Sequence, residues 1–334
     1  MNLANLTALV EGNLANSPSI TSFEEVHFEL SKIRRGDLFI ALNHENIEEA
    51  ILNGAYGILF DKPTQISDQE IAWIKVACVN KALLRLLRFH VLQKSPKVYY
   101  CDEISLKLAS QIITSRDILI LNKSLKEHMH ELYQLQEKQF ILFSKKYINE
   151  ELFVDAKPLN KVINSTINVV EQTLFETSFI YDDTYYERQL LSPFFLPYLE
   201  SVLQFFKHNN IGYQLRNFSP INHFQAVFTN IHFEVKDFGK SDNVLIFESS
   251  FELVKEQINF LKKQANWAKI LYLVPSSKIG QLEENKNIFG YENLWDIMHT
   301  LKSQDYHFAL IVEQSADILN NSVFEVKTQQ PSLF

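Results

Sequence analysis

The sequence predicts an α/β protein made of three consecutive α/β blocks, and two observations carry that expectation. Short apolar runs alternate with amphipathic helical patterns along nearly the whole chain. Ser95-Pro96 closes one run of such elements, and a second run gives way to a third near residue 232. A separate observation, the scarcity of glycine, bears on function. Only 8 of 334 residues are glycine, and none lies between Gly57 and Gly212, against a usual share of about 7%. A Walker-type phosphate loop needs two glycines ahead of Lys-Ser/Thr, and a dinucleotide fingerprint needs G-x-G-x-x-G. Neither can be written with these glycines.

The first block, 1–95, begins with a helix over 1–15, with Leu3, Leu6, Leu9 and Val10 on one face. Strands follow at 37–42, 55–60 and 73–76, with a short helix over 46–53 ended by Gly54. A strong helix over 81–93 closes the block. In the second block, 96–231, a strand at 97–101 leads to helix 104–113, strand 117–121, helix 124–138 and strand 140–143. This alternation implies a parallel sheet. Residues 160–192 are rich in Thr, Val, Phe and Tyr and read as two or three antiparallel strands. Helix 194–208 and a polar break at His208-Asn209-Asn210 follow.

The third block, 232–334, reads as a small βαβαβ unit. It has strands at 243–247, 269–274 and 307–312 and a helix over 291–303. Ser249 and Glu252 form the spacing of a capping box ahead of Phe251, Val254, Ile258 and Leu261. The last dozen residues read as disordered.

The net charge of −8 argues against nucleic-acid binding. Cys78 and Cys101 cannot form a zinc site alone, and no metal is expected. The N-terminus lacks the pattern of a signal peptide, and no apolar run is long enough to span a membrane. A reduced, cytoplasmic protein without membrane insertion is expected.

The first block resembles the Mur ligases, ATP-dependent enzymes that extend the peptide of UDP-N-acetylmuramic acid in peptidoglycan synthesis. Arg35-Gly36-Asp37-Leu38-Phe39-Ile40-Ala41-Leu42 is similar to that family's "pGDLFvAl" strand. Ala50 with Asn53-Gly54-Ala55-Tyr56-Gly57-Ile58-Leu59 is similar to its "A...GAaavl". Val79 to Phe89-His90 and then Ser95-Pro96 resemble the lead into its ATPase domain. The resemblance continues more weakly through 193–212 and Phe218-Ser219-Pro220, and it implies a Mur-ligase-like fold with a shortened middle domain. It also implies Glu29, Ser31 and Lys32 as the counterpart of the "DSR.v" nucleotide-sugar motif, with Asn43 and His44 as further substrate-binding candidates.

The departures fall on the nucleotide site. The family's G-T-N-G-K-T-[ST] loop is replaced by Asp102-Glu103-Ile104-Ser105, running directly into a helix. Carboxylates there would satisfy the NH groups that otherwise hold phosphate and would repel a nucleotide. The family's "GR" arginine aligns with Asn222-His223, and its third-domain signature aligns loosely with Phe247-Glu248-Ser249-Ser250. Asp102, Glu103 and His223 thus mark a degenerate ATP site, with no cofactor and no catalytic residue assigned. The implied partners are a UDP-muramyl precursor or a cell-wall enzyme.

Two alternatives remain open at this stage. One is an active amide-forming ligase with a rebuilt nucleotide site, using Lys97, Lys123 or Lys145-Lys146. The other is an interaction module, with a homodimer among its forms. Its surface would be Phe194, Phe195, Tyr198, Phe205 and Phe206, more aromatics than one buried helix stripe needs. His128 and His130, two apart on a helix, point to different faces. Asp182-Asp183 reads as a hairpin turn, and Lys81, Arg85 and Arg88 as a solvated helix face.

Overall fold

The computed structural model describes residues 1–148, 150–160, 165–215, 218–283, 286–321 and 324. They form two compact units. The first comprises Met1–Cys101 and Arg116–Pro158, the second Asp102–Ser115 and Leu159–Phe334.

The first unit opens with α1 (Leu3–Val10), β1 (Asn13–Leu14), β2 (Val26–His27), β3 (Leu38–Ile40) and α2 (Ile47–Leu52). It continues with β4 (Gly57–Phe60), β5 (Ala72–Lys75), α3 (Val79–Lys94) and β6 (Lys97–Tyr100). Strands β1 to β5 make a sheet of order β1-β5-β4-β3-β2, parallel except for β1. Its central strands are apolar without alternation because both faces are covered. Leu38, Ile40, Leu59 and Ile74 pack with Leu6, Leu83 and Leu87 of α1 and α3. Phe39, Ile58, Phe60 and Trp73 pack on the other face with Ile47 and Ala50 of α2. Burying each large side chain contributes about 1.5–3 kcal/mol. Gly57 is required sterically, since a Cβ there would lie 2.4 Å from the Phe23 ring.

After α4 (Glu103–Ile112), which belongs to the second unit, the chain returns for β7 (Ile118–Leu121), α5 (Leu125–Tyr133), β8 (Phe140–Phe143) and β9 (Lys157–Pro158). The resulting sheet, β7-β8-β6-β9, is parallel throughout, as the βαβ alternation implies.

The second unit carries an antiparallel sheet of β10 (Asn168–Gln172), β11 (Thr177–Tyr181) and β12 (Thr184–Gln189). Asp182 and Asp183, at φ +51° and +61°, form the two-residue turn between β11 and β12. Positive φ at both positions matches the strand twist, and Asp tolerates it better than most residues. α6 (Leu196–His208) packs against α4. Then come β13 (Gln225–Thr229), β14 (Asn243–Glu248), α7 (Val254–Gln264), β15 (Ile270–Pro275), β16 (Ile288–Tyr291), α8 (Leu294–Ser303) and β17 (Phe308–Val312). Their sheet has the order β13-β14-β17-β15-β16, with only β13 antiparallel.

Several expectations need correction. The sheet of the third block has five strands, because β13 and β16 add edges that the sequence reading missed. Both are only partly buried and lack a continuous apolar run. The Ser249–Glu252 capping box does not form. Residues Phe251–Leu253 make a 3-10 turn capped at Ser250 without a side-chain bond. Capping boxes form instead at Ser124–Glu127 and Asn293–Asp296. The first helix stops at Val10, where Glu11 turns left-handed at φ +52°, and helix 124–138 stops at Tyr133. Of the tail expected to be disordered, only Phe324 is among the described residues, and it packs 5.6 Å from the Phe233 ring.

Candidate functional site

The candidate site is assembled inside the second unit from three segments distant in sequence. At the start of α4, Asp102 is the N-cap. Its Oδ1 accepts the Ser105 N–H at 2.8 Å, and its Oδ2 accepts the Ser105 hydroxyl at 2.8 Å. The Asp102 side chain thus satisfies one of the first-turn N–H donors, a group an anion would otherwise use. Glu103 follows in the first turn, with Lys107 Nζ 3.5 Å from its carboxylate.

Glu248 ends β14 and is fully buried. A buried carboxylate is costly unless hydrogen bonds surround it. Here Oε2 accepts the Phe224 N–H at 3.1 Å and the Gln257 side-chain amide, while Oε1 accepts the Ser250 N–H at 2.7 Å. Drawing the 250 amide onto Glu248 explains why helix α7 starts later than the capping-box spacing suggests. Phe224 itself sits at φ +44°, a left-handed conformation that costs on the order of 1–3 kcal/mol.

His223 joins the two carboxylates. Its Nδ1 lies 2.6 Å from Glu248 Oε1, and its Nε2 lies 3.3 Å from Glu103 Oε2. The first is a short hydrogen bond; the second is a charge contact without good hydrogen-bond alignment. Burial opposes the charged ring, but Glu103 and Glu248 outweigh it and push the pKa up to about 9. The imidazolium and Lys107 then balance the two carboxylates. The Tyr198 hydroxyl nearby is held well above its usual pKa by burial and by the negative charges of Glu256, Asp102 and Glu248. The carboxylates sit on opposite edges of the ring, so they cannot share one metal with it. Among the described residues, no group of three or more His, Cys, Asp or Glu side chains is arranged to hold a metal ion. The arrangement is an ionic bridge that joins Glu103, His223 and Glu248.

Phe194, Phe195, Phe205 and Phe206, expected at an interface, are buried in the second unit. Phe194 packs against Phe224 and Phe260 at 5.5 and 5.6 Å, and Phe206 against Tyr213 at 5.8 Å. Tyr198 is half-buried beside Phe194 at 6.1 Å. The aromatic excess on α6 is core, because this helix is covered on more than one side.

The first unit holds a cleft of about 800 Å³ between residues 24–34 and the helices α3 and α5. Glu29, Ser31 and Lys32 line it. Lys32 Nζ bridges Glu29 Oε2 at 2.9 Å and His130 Nδ1 at 2.7 Å. Asn43 and His44 do not line it; His44 Nε2 instead lies 3.1 Å from Thr64 Oγ1. The His90 and Tyr133 rings, 5.4 Å apart, also line the cleft. Burial, and then the Lys94 charge, lower the His90 pKa. His128 turns away to Glu131 and to the Lys123 N–H, so the two histidines of this helix do face different partners.

Sequence reasoning named Glu248 only within the loosely aligned third-domain segment, and it missed Gln257 in the cluster and the place of His90, His130 and Tyr133 in the cleft. A carboxylate closing an otherwise apolar strand, as in Val244-Leu245-Ile246-Phe247-Glu248, was the available signal for the first.

No protein-family model matches the sequence, and no curated protein matches it. Solved structures do match. A crystal structure of MurF from Acinetobacter baumannii aligns over 97% of this chain and 99% of its own, at 10% identity and a TM-score of 0.54. A MurF ligase from Thermotoga maritima in complex with ADP aligns over 87% and 94%, at 13% identity and a TM-score of 0.48. Among the described residues no helix is long and apolar enough to cross a membrane. With the sheet topology above, the match to the Acinetobacter baumannii structure shows that this chain has a Mur-ligase-like fold.

Proposed function

We propose that the chain is a degenerate Mur-ligase-like protein that does not use ATP and acts by binding or regulation in peptidoglycan precursor synthesis. One observation carries the reading. Glu103, His223 and Glu248 lie where the sequence resemblance puts three separate parts of the ATP site. They meet each other instead of leaving room and positive charge for phosphates. Phosphoryl transfer depends on preorganised cations and backbone donors around the phosphates. Here the helix N-terminus is capped by its own Asp102.

The three-block division at 1–95, 96–231 and 232–334 belongs to the same proposal, with strand β13 pairing across its second boundary. A homodimer also belongs to it, through a surface other than α6; light scattering tests that part. The principal test is isothermal titration with ATP-Mg and, separately, with UDP-muramyl peptides. The expected result is no ATP binding. Micromolar ATP affinity would overturn the proposal.

A further inference from the structure

In the second unit a row of side chains crosses the sheet at the start of its parallel strands. Phe228, Val244, Phe308 and Ile270 are register partners on β13, β14, β17 and β15, so they share one face. Phe175, from the turn between β10 and β11, lies over this row, 5.7 Å from the Phe228 ring and 6.2 Å from that of Phe308. Phe238 packs on Phe228 at 5.1 Å, and Trp267 on Phe308 at 6.0 Å. Five rings thus run in contact from Phe238 to Trp267. The two end rings are 53% and 68% exposed, and Phe175 and Phe228 between them are half-buried. Contiguous aromatics left in water mark an interaction surface.

The charges at the two ends select the occupant. Beside Phe238, Lys240 Nζ lies 3.1 Å from Asp237 Oδ2. Beside Trp267, Lys269 pairs with Asp305. Each end therefore carries one cation and one anion. A partner of strong single charge gains little there, because attraction at one group is offset by repulsion at its neighbour. A second copy turned by a twofold axis fits better, since it brings the Trp267 end of one chain over the Phe238 end of the other. Lys269 then meets Asp237 of the second copy, Asp305 meets its Lys240, and Phe175 and Phe228 close around the axis. We propose that this aromatic row is the contact surface of a homodimer, with rings at its centre and paired charges at its rim. The inference rests on the homodimer included in the functional reading and names its surface.

The test is sedimentation equilibrium of the full chain between about 1 and 100 µM. A dimer is expected, dissociating toward the low end of that range. Trp267→Glu and Phe238→Glu each raise the dissociation constant about tenfold or more. Far-ultraviolet circular dichroism stays unchanged in both, because each side chain is mostly in water. Trp295→Glu, which alters a tryptophan 61% exposed but outside the row, leaves the dimer intact. Lys240→Glu and Asp305→Lys each weaken the dimer, and combining them restores part of the loss, a coupling that requires the two groups to meet. Four results would each overturn the inference. They are a monomer across the range, as a different partner would give; a dimer that either Trp267→Glu or Phe238→Glu leaves intact; an equal loss in Trp295→Glu; and additive losses in the charge pair. A monomer would leave the non-ATPase proposal standing, and ATP-Mg binding in a separate titration would sink that proposal and leave this one standing.

Discussion

Glu248 in the second unit accepts bonds from two backbone amides, a glutamine and a histidine. His90 and Tyr133 in the first unit keep polar atoms that bond to nothing. Both groups sit at the ends or sides of parallel sheets, and both contain an imidazole beside glutamates. The difference lies in closure. In the second unit Glu103 and Glu248 have Lys107 and His223 as counter-charges, although His223 Nε2 and Gln257 Oε1 are themselves buried without a hydrogen-bond partner. In the first unit the charges line an open cleft and pair across it, Lys32 with Glu29 and His130, and His27 with Glu25.

Substitutions can break or sharpen that contrast. The largest effect is expected at Glu248→Ala. It strands the His223 charge and three donors in a buried site, and urea unfolding should show a loss of about 3–5 kcal/mol. A loss below about 1 kcal/mol would mean the cluster is not closed.

Next comes pH. The folded pKa of His223, about 9, lies above its ordinary 6.5. Its contribution is therefore complete below about pH 6.5 and lost as pH rises through about 9, a change of roughly 3 kcal/mol. Comparing wild type with His223→Gln at pH 6 and pH 10 reads this directly. The gap between the two proteins should shrink toward the higher pH, and a gap independent of pH would show that the ring is neutral. Asp102→Ala removes only a cap, and a loss of about 1 kcal/mol is expected by the same unfolding assay. The smallest change belongs to the cleft. Glu29→Gln, which touches Lys32 on a partly exposed surface, should alter stability by less than about 1 kcal/mol. A large loss there would make the cleft another structural bridge.

Most of the regular framework was legible in the sequence. Strand Phe140–Phe143 and the apolar strands of both parallel sheets stand out because burial on two faces demands unbroken hydrophobic runs. Asp102 was readable as a cap from its place before a helical pattern, and Asp182-Asp183 as a turn. Edge strands β13 and β16 were not legible, because partial exposure dilutes their apolar pattern. The aromatic helix α6 misled for a related reason. Periodicity reports how apolar a helix is, not how many neighbours cover it.

The sequence by itself determined the succession of α/β elements, the exclusion of glycine-rich phosphate loops and the carboxylates at the start of α4. Those are local properties, set by backbone geometry and by side chains a few residues apart. Only the tertiary structure decided that Glu103, His223 and Glu248 meet, and that the cleft faces Glu29 and Lys32 toward His130. Those contacts join positions 25 to about 120 residues apart in the chain, where no spacing rule operates. Whether a charge ends as a bridge or as part of an open site depends on what folding brings within about 4 Å of it.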